Sequence, residues 1–309
     1  MFEYFPENYT WSLATMSVLN GGGNISEVDD ACRPLKEISK RGEDPVALES
    51  WYESWKKVAE RVEQLAMRDE EAGNYLSAGG KYLRATLYYI AAERMLTNLD
   101  PRKLQTYRQF LNTFKKGLQL RREPVEWVEV PFQNSSLPAL FIPALGSERA
   151  PCMIHFDGFD VMKETIYTRI GNEFRRRGIA LLIVDHPGVG EALRFRNMYS
   201  SPDTEVPAGA CVDYLESRSD VDSERIGIMA LSLGGYYAPR AAAFEKRLKC
   251  CVAWGALWDW GERCDQHLRR DTEHRSVPSF QLTWVFGKDT AEEALEIARK
   301  LTFFGVYSL

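Results

Sequence analysis

Residues Ile226 to Arg240 read I-G-I-M-A-L-S-L-G-G-Y-Y-A-P-R, and this stretch constrains the fold more than any other. An apolar run (Ile226, Ile228, Met229, Ala230, Leu231) meets Ser232, and two glycines and a helix-compatible segment follow. Strand, sharp turn and helix in that order is the grammar of a nucleophile elbow, where a hydroxyl projects from a strained turn at the end of a strand. The usual pattern is G-x-S-x-G; here it is Ala230-Leu231-Ser232-Leu233-Gly234. Alanine is the smallest side chain after glycine, so close strand–helix packing survives the change. Gly234 and Gly235 let the helix approach the strand without a Cβ clash. The peptide N–H of Leu233 then serves as one oxyanion donor. S-x-G-G also occurs in plain turns with an inert serine; the polar turn Asp222–Arg225 and the helix at Ala208–Ser217 ahead of the strand favour the elbow.

The chain changes character at Arg121-Arg122-Glu123-Pro124. Beyond it lie short β-like runs at Val125–Phe132, Leu137–Pro143, Cys152–Phe156, Ala180–Val184 and Cys250–Trp254, with helices at Thr165–Arg177 and Ala208–Ser217 between them. Strands alternating with helices of this length predict an α/β class with a mostly parallel, doubly wound sheet over residues 123–309. Ligands of such sheets bind beyond the carboxyl ends of the strands. Three loops leave those ends. Asp157-Gly158-Phe159-Asp160 follows one strand, and Gly158 or Phe159 is the candidate second oxyanion N–H. Asp185 to Glu191, D-H-P-G-V-G-E, reads as a structural turn, with His186 held by turn hydrogen bonds rather than catalytic. G-A-L-W-D-W-G-E brings Asp259 and Glu262 to the same edge, and Asp259 is the candidate acid.

Residues 1–122 read as a helical, cap-like domain. The first 45 or so look irregular, with a short helix somewhere in Ile25–Arg41. Trp51, Trp55, Val58, Val62 and Leu65 then fall on one face of a helix. A second helix covers Asn74–Leu96, and Pro101 opens a third with Leu104, Tyr107, Leu111, Phe114 and Leu118 on one stripe. These stripes are helix-to-helix core, while Tyr82, Arg84, Tyr88 and Tyr89 place polar tips on both faces of their helix.

Composition excludes several classes. A net charge of −5 gives no electrostatic reason to expect nucleic acid or an anionic membrane as partner. Six cysteines without a CxxC pair read as thiols of a reducing compartment. The start M-F-E-Y-F-P-E is acidic where a signal peptide is basic, and Trp11–Leu19 is too short to span a bilayer, so a cytoplasmic protein is expected. The sequons at Asn8, Asn24 and Asn134 are then chance matches. No dinucleotide or P-loop glycine pattern follows a strand, and the cysteines and histidines lack metal-ligand spacing, so no cofactor and no metal are expected.

H-F-D-G-F-D, D-H-P-G-V-G-E and A-L-S-L-G-G-Y-Y-A-P-R, in that order, resemble the α/β-hydrolase-fold serine hydrolases. With S-A-G-G-K-Y-L-R-A-T-L-Y-Y in the helical region, the chain is similar to one branch in particular, from about Ser26 to about Leu301. That branch holds the fungal heptaketide hydrolyases of melanin-type pigment pathways and the bacterial hydrolase that splits 2,6-dihydroxypseudooxynicotine. The resemblance implies hydrolysis of a C–C bond in a β-dicarbonyl or acyl-aromatic small molecule, with the helical domain covering the site and a homodimer as the assembly. Ester, lactone or thioester hydrolysis fits the same residues. Carried over position by position, Ser232 matches the nucleophile, Leu233 its oxyanion neighbour, and Gly158–Phe159 the loop with the second donor.

The resemblance also places an acid and a base after two strands beyond the nucleophile, in the order Ser, Asp, His. Much of the chain after Ser232 is an insert at 259–290, Ala291–Leu301 reads as a helix, and the sequence closes on T-F-F-G-V-Y-S-L. The expectation is therefore a truncated core that lacks its last strands. The histidines are His155 in a strand, His186 in the turn, and His267 and His274 in a charged run that reads as a solvated helix. Without a base, a serine hydroxyl is a poor nucleophile. The competing expectation is an inactive homologue that binds a ligand or partner.

Overall fold

A computed structural model of the chain describes residues 3–159, 161–255, 257–268 and 275–304, with backbone alone for 265–268. The chain divides into two compact units, Met1–Glu123 with His267–Gln281 and Pro124–Gln266 with Leu282–Leu309.

The first unit contains helices α1 (Tyr9–Asn20), α2 (Ile25–Cys32), α3 (Pro45–Glu71), α4 (Tyr75–Arg94) and α5 (Pro101–Arg121). Helix α1 forms where the sequence reads as irregular. Its inward face carries Thr10, Ser12 and Thr15, so no apolar period shows. Each hydroxyl donates to a carbonyl: Ser12 Oγ to Phe5 and Thr15 Oγ1 to Trp11, both at 2.9 Å, and Thr10 Oγ1 to the distant Arg275 at 2.6 Å. Asn8 caps the helix by accepting Trp11 N–H at 3.1 Å. Helices α3 and α5 each open on Asp-Pro, with Asp44 and Asp100 accepting an N–H two residues on.

Trp11, Trp51, Trp55 and Tyr88 form the aromatic core of this unit, with neighbouring ring centroids 4.7, 5.5 and 6.0 Å apart. Of the expected α3 stripe, Leu65 is 39% exposed and Ala59 and Ala66 take the buried face instead. On α5, Tyr107, Phe110, Phe114 and Leu118 are buried, whereas Leu104 and Leu111 are half-buried. The polar tips of α4 all find carboxylates inside the unit. Tyr82 donates to Glu70, Tyr88 and Arg84 to Glu27, and Tyr89 to Glu63.

The second unit runs β1 (Glu126–Phe132), β2 (Ser135–Ile142), β3 (Ala150–Phe156), α6 (Lys163–Arg176), β4 (Ala180–Val184), α7 (Gly190–Arg196), α8 (Glu205–Glu216), β5 (Val221–Leu231), α9 (Gly234–Phe244) and β6 (Cys250–Trp254). Helices α10 (Trp260–Leu268), α11 (Phe280–Phe286) and α12 (Ala291–Ala298) follow. The six described strands form one sheet in the order β1-β2-β4-β3-β5-β6. The hairpin β1–β2 and the β2–β4 pair are antiparallel; β3 pairs in parallel with β4 and β5, and β5 with β6. The α/β reading with a mostly parallel, doubly wound sheet therefore holds. Every residue of β4 is buried, as an apolar run in the middle of such a sheet requires. From β3 the chain steps outward to β4, then returns to the other side of β3 as β5. Loops leaving β3 and β5 diverge there and open a crevice at the carboxyl ends.

Candidate active site

Register sets the floor of the crevice. Phe156 of β3 pairs with Ala230 of β5, which pairs with Ala253 of β6, so the three strands end level. Ser232 follows β5 directly and has φ of 62°, the left-handed region that disfavours a side chain. Its N–H donates to the Trp254 carbonyl at 2.9 Å and its carbonyl accepts Gly235 N–H at 2.8 Å, which holds the turn closed. The serine is exposed, and among the described residues no hydrogen bond involves its hydroxyl. Leu233, at φ −57°, begins the helical conformation of α9 and is 1% exposed.

The turn is tight enough to dictate its neighbours. A Cβ on Gly234 would lie 2.4 Å from the Ala230 Cβ, so the alanine of this elbow fits because the facing residue is bare. A Cβ on Gly158 would lie 2.7 Å from the Leu231 carbonyl oxygen, 2.9 Å from the Ser232 Cβ and 3.3 Å from the Leu233 nitrogen. The β3 loop and the elbow are thus in van der Waals contact, and Gly158 is the point of contact. The Gly158 N–H donates to Asp157 Oδ1 at 2.8 Å and is engaged within its own loop. Phe159 follows, packed on Trp260 and Phe286 with ring centroids 5.3 and 6.2 Å away.

His186 is 3% exposed, with Nδ1 3.0 Å from the Pro187 carbonyl and Nε2 3.2 Å from the Asp157 carbonyl. A neutral imidazole has one N–H to give to two acceptors. Burial nevertheless holds its pKa below the ordinary histidine value, against the pull of both carbonyls. His155 is buried on β3, and burial, helped by His186 and Arg169, pushes it down to about 3. Asp259 Oδ1 accepts Glu262 N–H at 3.1 Å, capping α10. His274 lies outside the described residues, as does the side chain of His267. A cavity of about 430 Å³ opens beside His186, lined also by Met198, Tyr199, Ser200 and Thr204, and Ser232 is not on its wall.

Sequence reading missed a buried charge cluster two loops away. Lys163, 1% exposed, places Nζ 2.8 Å from Asp185 Oδ2, 2.6 Å from Glu191 Oε1 and 2.7 Å from Glu164 Oε1. Burial alone would lower this lysine, but the three carboxylates together hold it above the usual lysine range. Glu164, with no exposed surface, is pushed up to about 7 by burial and by its acidic neighbours, against the pull of Lys163. Among the described residues, Glu164, Asp185 and Glu191 are the group with metal-like spacing, and the Lys163 ammonium already occupies the cation position. The signal was present in D-H-P-G-V-G-E, but the helix was expected to begin at Thr165, which left Lys163 and Glu164 in the loop.

The FrsA-like esterase family profile matches residues 48–270. The α/β hydrolase xenA of Xenoacremonium sinensis is 31% identical over 96% of this chain and 76% of its own. The 20-hydroxy-prefusarin hydrolase FUS2 of Gibberella moniliformis is 29% identical over 84% of this chain and 70% of its own. Relatives are longer than this chain, which spans as little as 55% of one of them. Among solved structures, the 2,6-dihydroxy-pseudo-oxynicotine hydrolase superposes with a TM-score of 0.74 at 25% identity, over 94% of this chain and 76% of its own. The likeness expected from the three sequence motifs is therefore met in sequence, across most of the chain, and in fold. The chain belongs to the FrsA-like esterase family of α/β hydrolases.

Proposed function

We propose that the protein is a serine hydrolase that cleaves a C–C, ester or thioester bond next to a carbonyl in a polyketide-like small molecule. Ser232 attacks the carbonyl carbon, and the resulting oxyanion is met by the N–H of Leu233 and a second N–H from the β3 loop. Phe159 is the better second donor, because Asp157 engages the Gly158 N–H. The observation that carries the reading is the left-handed Ser232 at the head of α9, with Gly158 pressed against it. Strained, non-glycine backbone of this kind persists where surrounding structure over-determines it, and it clusters at functional sites. The names of FUS2 and of the 2,6-dihydroxy-pseudo-oxynicotine hydrolase, each a hydrolase of a small organic molecule, support a small-molecule substrate. A homodimer, implied by the resemblance, belongs to the same proposal.

One observation favours a second reading, a ligand-binding protein without turnover. The two histidines with described side chains are buried, and His186 faces backbone carbonyls with both ring nitrogens. A fluorophosphonate probe decides between the readings. Rapid covalent labelling that maps to Ser232 and disappears in Ser232→Ala is the expected result. A folded protein that resists labelling would leave Ser232 inert and overturn the hydrolase reading.

A further inference from the structure

Helices α6 and α7 begin in the same unusual way. Their preceding residues, Met162 and Val189, have no side chain able to cap a helix. Leading N–H groups of a helix need an acceptor, and here both helices obtain it from one carboxylate on a third element. Asp185, at the carboxyl end of β4, accepts the Lys163 N–H on Oδ1 at 2.9 Å and the Glu191 N–H on Oδ2 at 2.8 Å. Oδ2 also takes the Lys163 ammonium at 2.8 Å. The fit leaves no slack, since a Cβ on Gly190, which sits at φ 52°, would lie 2.0 to 2.1 Å from the Asp185 carboxyl atoms.

This carboxylate stands at one end of the turn that carries the candidate oxyanion donor. The turn leaves β3 at Phe156, touches Ser232 through Gly158, presents Phe159, and ends where Lys163 starts α6. One end is fixed by strand register and the elbow, and the other by Asp185. We propose that Asp185, with Lys163 as its counter-ion, is a positioning group for the reaction: by capping α6 and α7 together it fixes where the Phe159 N–H stands relative to Ser232. The inference rests on the reading of Ser232 as nucleophile. Its functional weight follows from the sensitivity of oriented catalysis, in which a misplacement of about 1 Å from a distant mutation costs on the order of 100-fold.

The variant Asp185→Asn keeps the shape and removes the charge. Two quantities are measured on protein shown to be folded by circular dichroism: the rate of fluorophosphonate labelling at Ser232, and hydrogen exchange at the Phe159, Lys163 and Glu191 amides. Labelling at least tenfold slower than wild type, with faster exchange at Phe159 and unchanged exchange in α3, is expected. Folded Asp185→Asn that labels at the wild-type rate overturns the proposal. Should Asp185→Asn fail to fold, Glu191→Gln removes one partner of Lys163 from a half-exposed position, and a roughly threefold slowing is expected; no slowing is again fatal. If wild type itself does not label, the nucleophile reading fails separately, and the exchange at Phe159 decides the positioning role alone, a rise supporting it and no change overturning it.

Discussion

Each unit of the chain buries a lysine almost completely, and the two are held in different ways. Lys103, in the first turn of α5, gives its ammonium to the carbonyls of Glu93 and Leu96 at 3.2 and 2.9 Å, and lies 3.2 Å from the Glu93 carboxylate. Those carbonyls close the end of α4, where a cation complements the partial negative charge of the helix terminus. The arrangement is a staple between consecutive helices. Lys163 meets three carboxylates instead, so the cluster is formally short of positive charge. The N-terminal N–H groups of α6 and α7 supply the remainder, because a helix start carries partial positive charge. The first arrangement fastens neighbours in sequence; the second draws in backbone from elements distant in sequence.

The largest effect is expected from removing each lysine. Lys103→Met removes an ammonium 3.2 Å from the buried Glu93 carboxylate, and Lys163→Met removes one that three carboxylates share, so each should cost on the order of 3–5 kcal/mol in a urea titration. They should differ in Ser232 labelling of the folded fraction, which Lys103→Met leaves at the wild-type rate and Lys163→Met slows. If Lys103→Met slowed labelling as much, buried charge would matter here through general stability alone, and the distinction between staple and pin would collapse.

Proton linkage gives the next effect in size. The Glu164 carboxyl titrates near 4.5 in an unfolded chain and at about 7 in the cluster. Between those values the native state binds more protons than the unfolded one, so stability falls as pH rises, and above 7 the full deficit remains. A displacement of this size corresponds to on the order of 3 kcal/mol. Glu164→Gln cannot ionise and loses that slope. Its Tm relative to wild type should therefore climb from pH 5 to pH 8, whatever the amide does to packing. Parallel curves of Tm against pH would show that Glu164 is not held in the protonated form.

These differences also explain what the sequence disclosed. The elbow was legible because everything that makes it is local: an apolar strand, Ser232, and the small residues Ala230, Gly234 and Gly235. The strand–helix alternation was legible for the same reason, through period and turn chemistry. The pin was not, because Lys163 and Asp185 are separated by an entire helix and strand, and only the β3–β4 pairing brings them together. Helix α1 was hidden by a different cause. Its buried face is filled by Thr10, Ser12 and Thr15, which bury well only once their hydroxyls bond to carbonyls, and a hydropathy pattern does not register that.

The smallest effect is the most specific to the elbow. At an ordinary helical position glycine is less stable than alanine by about 1 kcal/mol. Ser232 sits at φ 62°, where a Cβ is strained and glycine is not. Its side chain is exposed, so truncation removes little packing. Ser232→Ala keeps the strain and Ser232→Gly releases it, so the glycine variant should be the more stable of the two by about 1 kcal/mol, opposite in sign to the helical rule. Both should be silent to the fluorophosphonate. Urea midpoints with equal slopes are sufficient to read the difference. A glycine variant less stable than the alanine variant would mean that the turn at Ser232 carries no strain, and the elbow would then differ from the pin only in lacking charge.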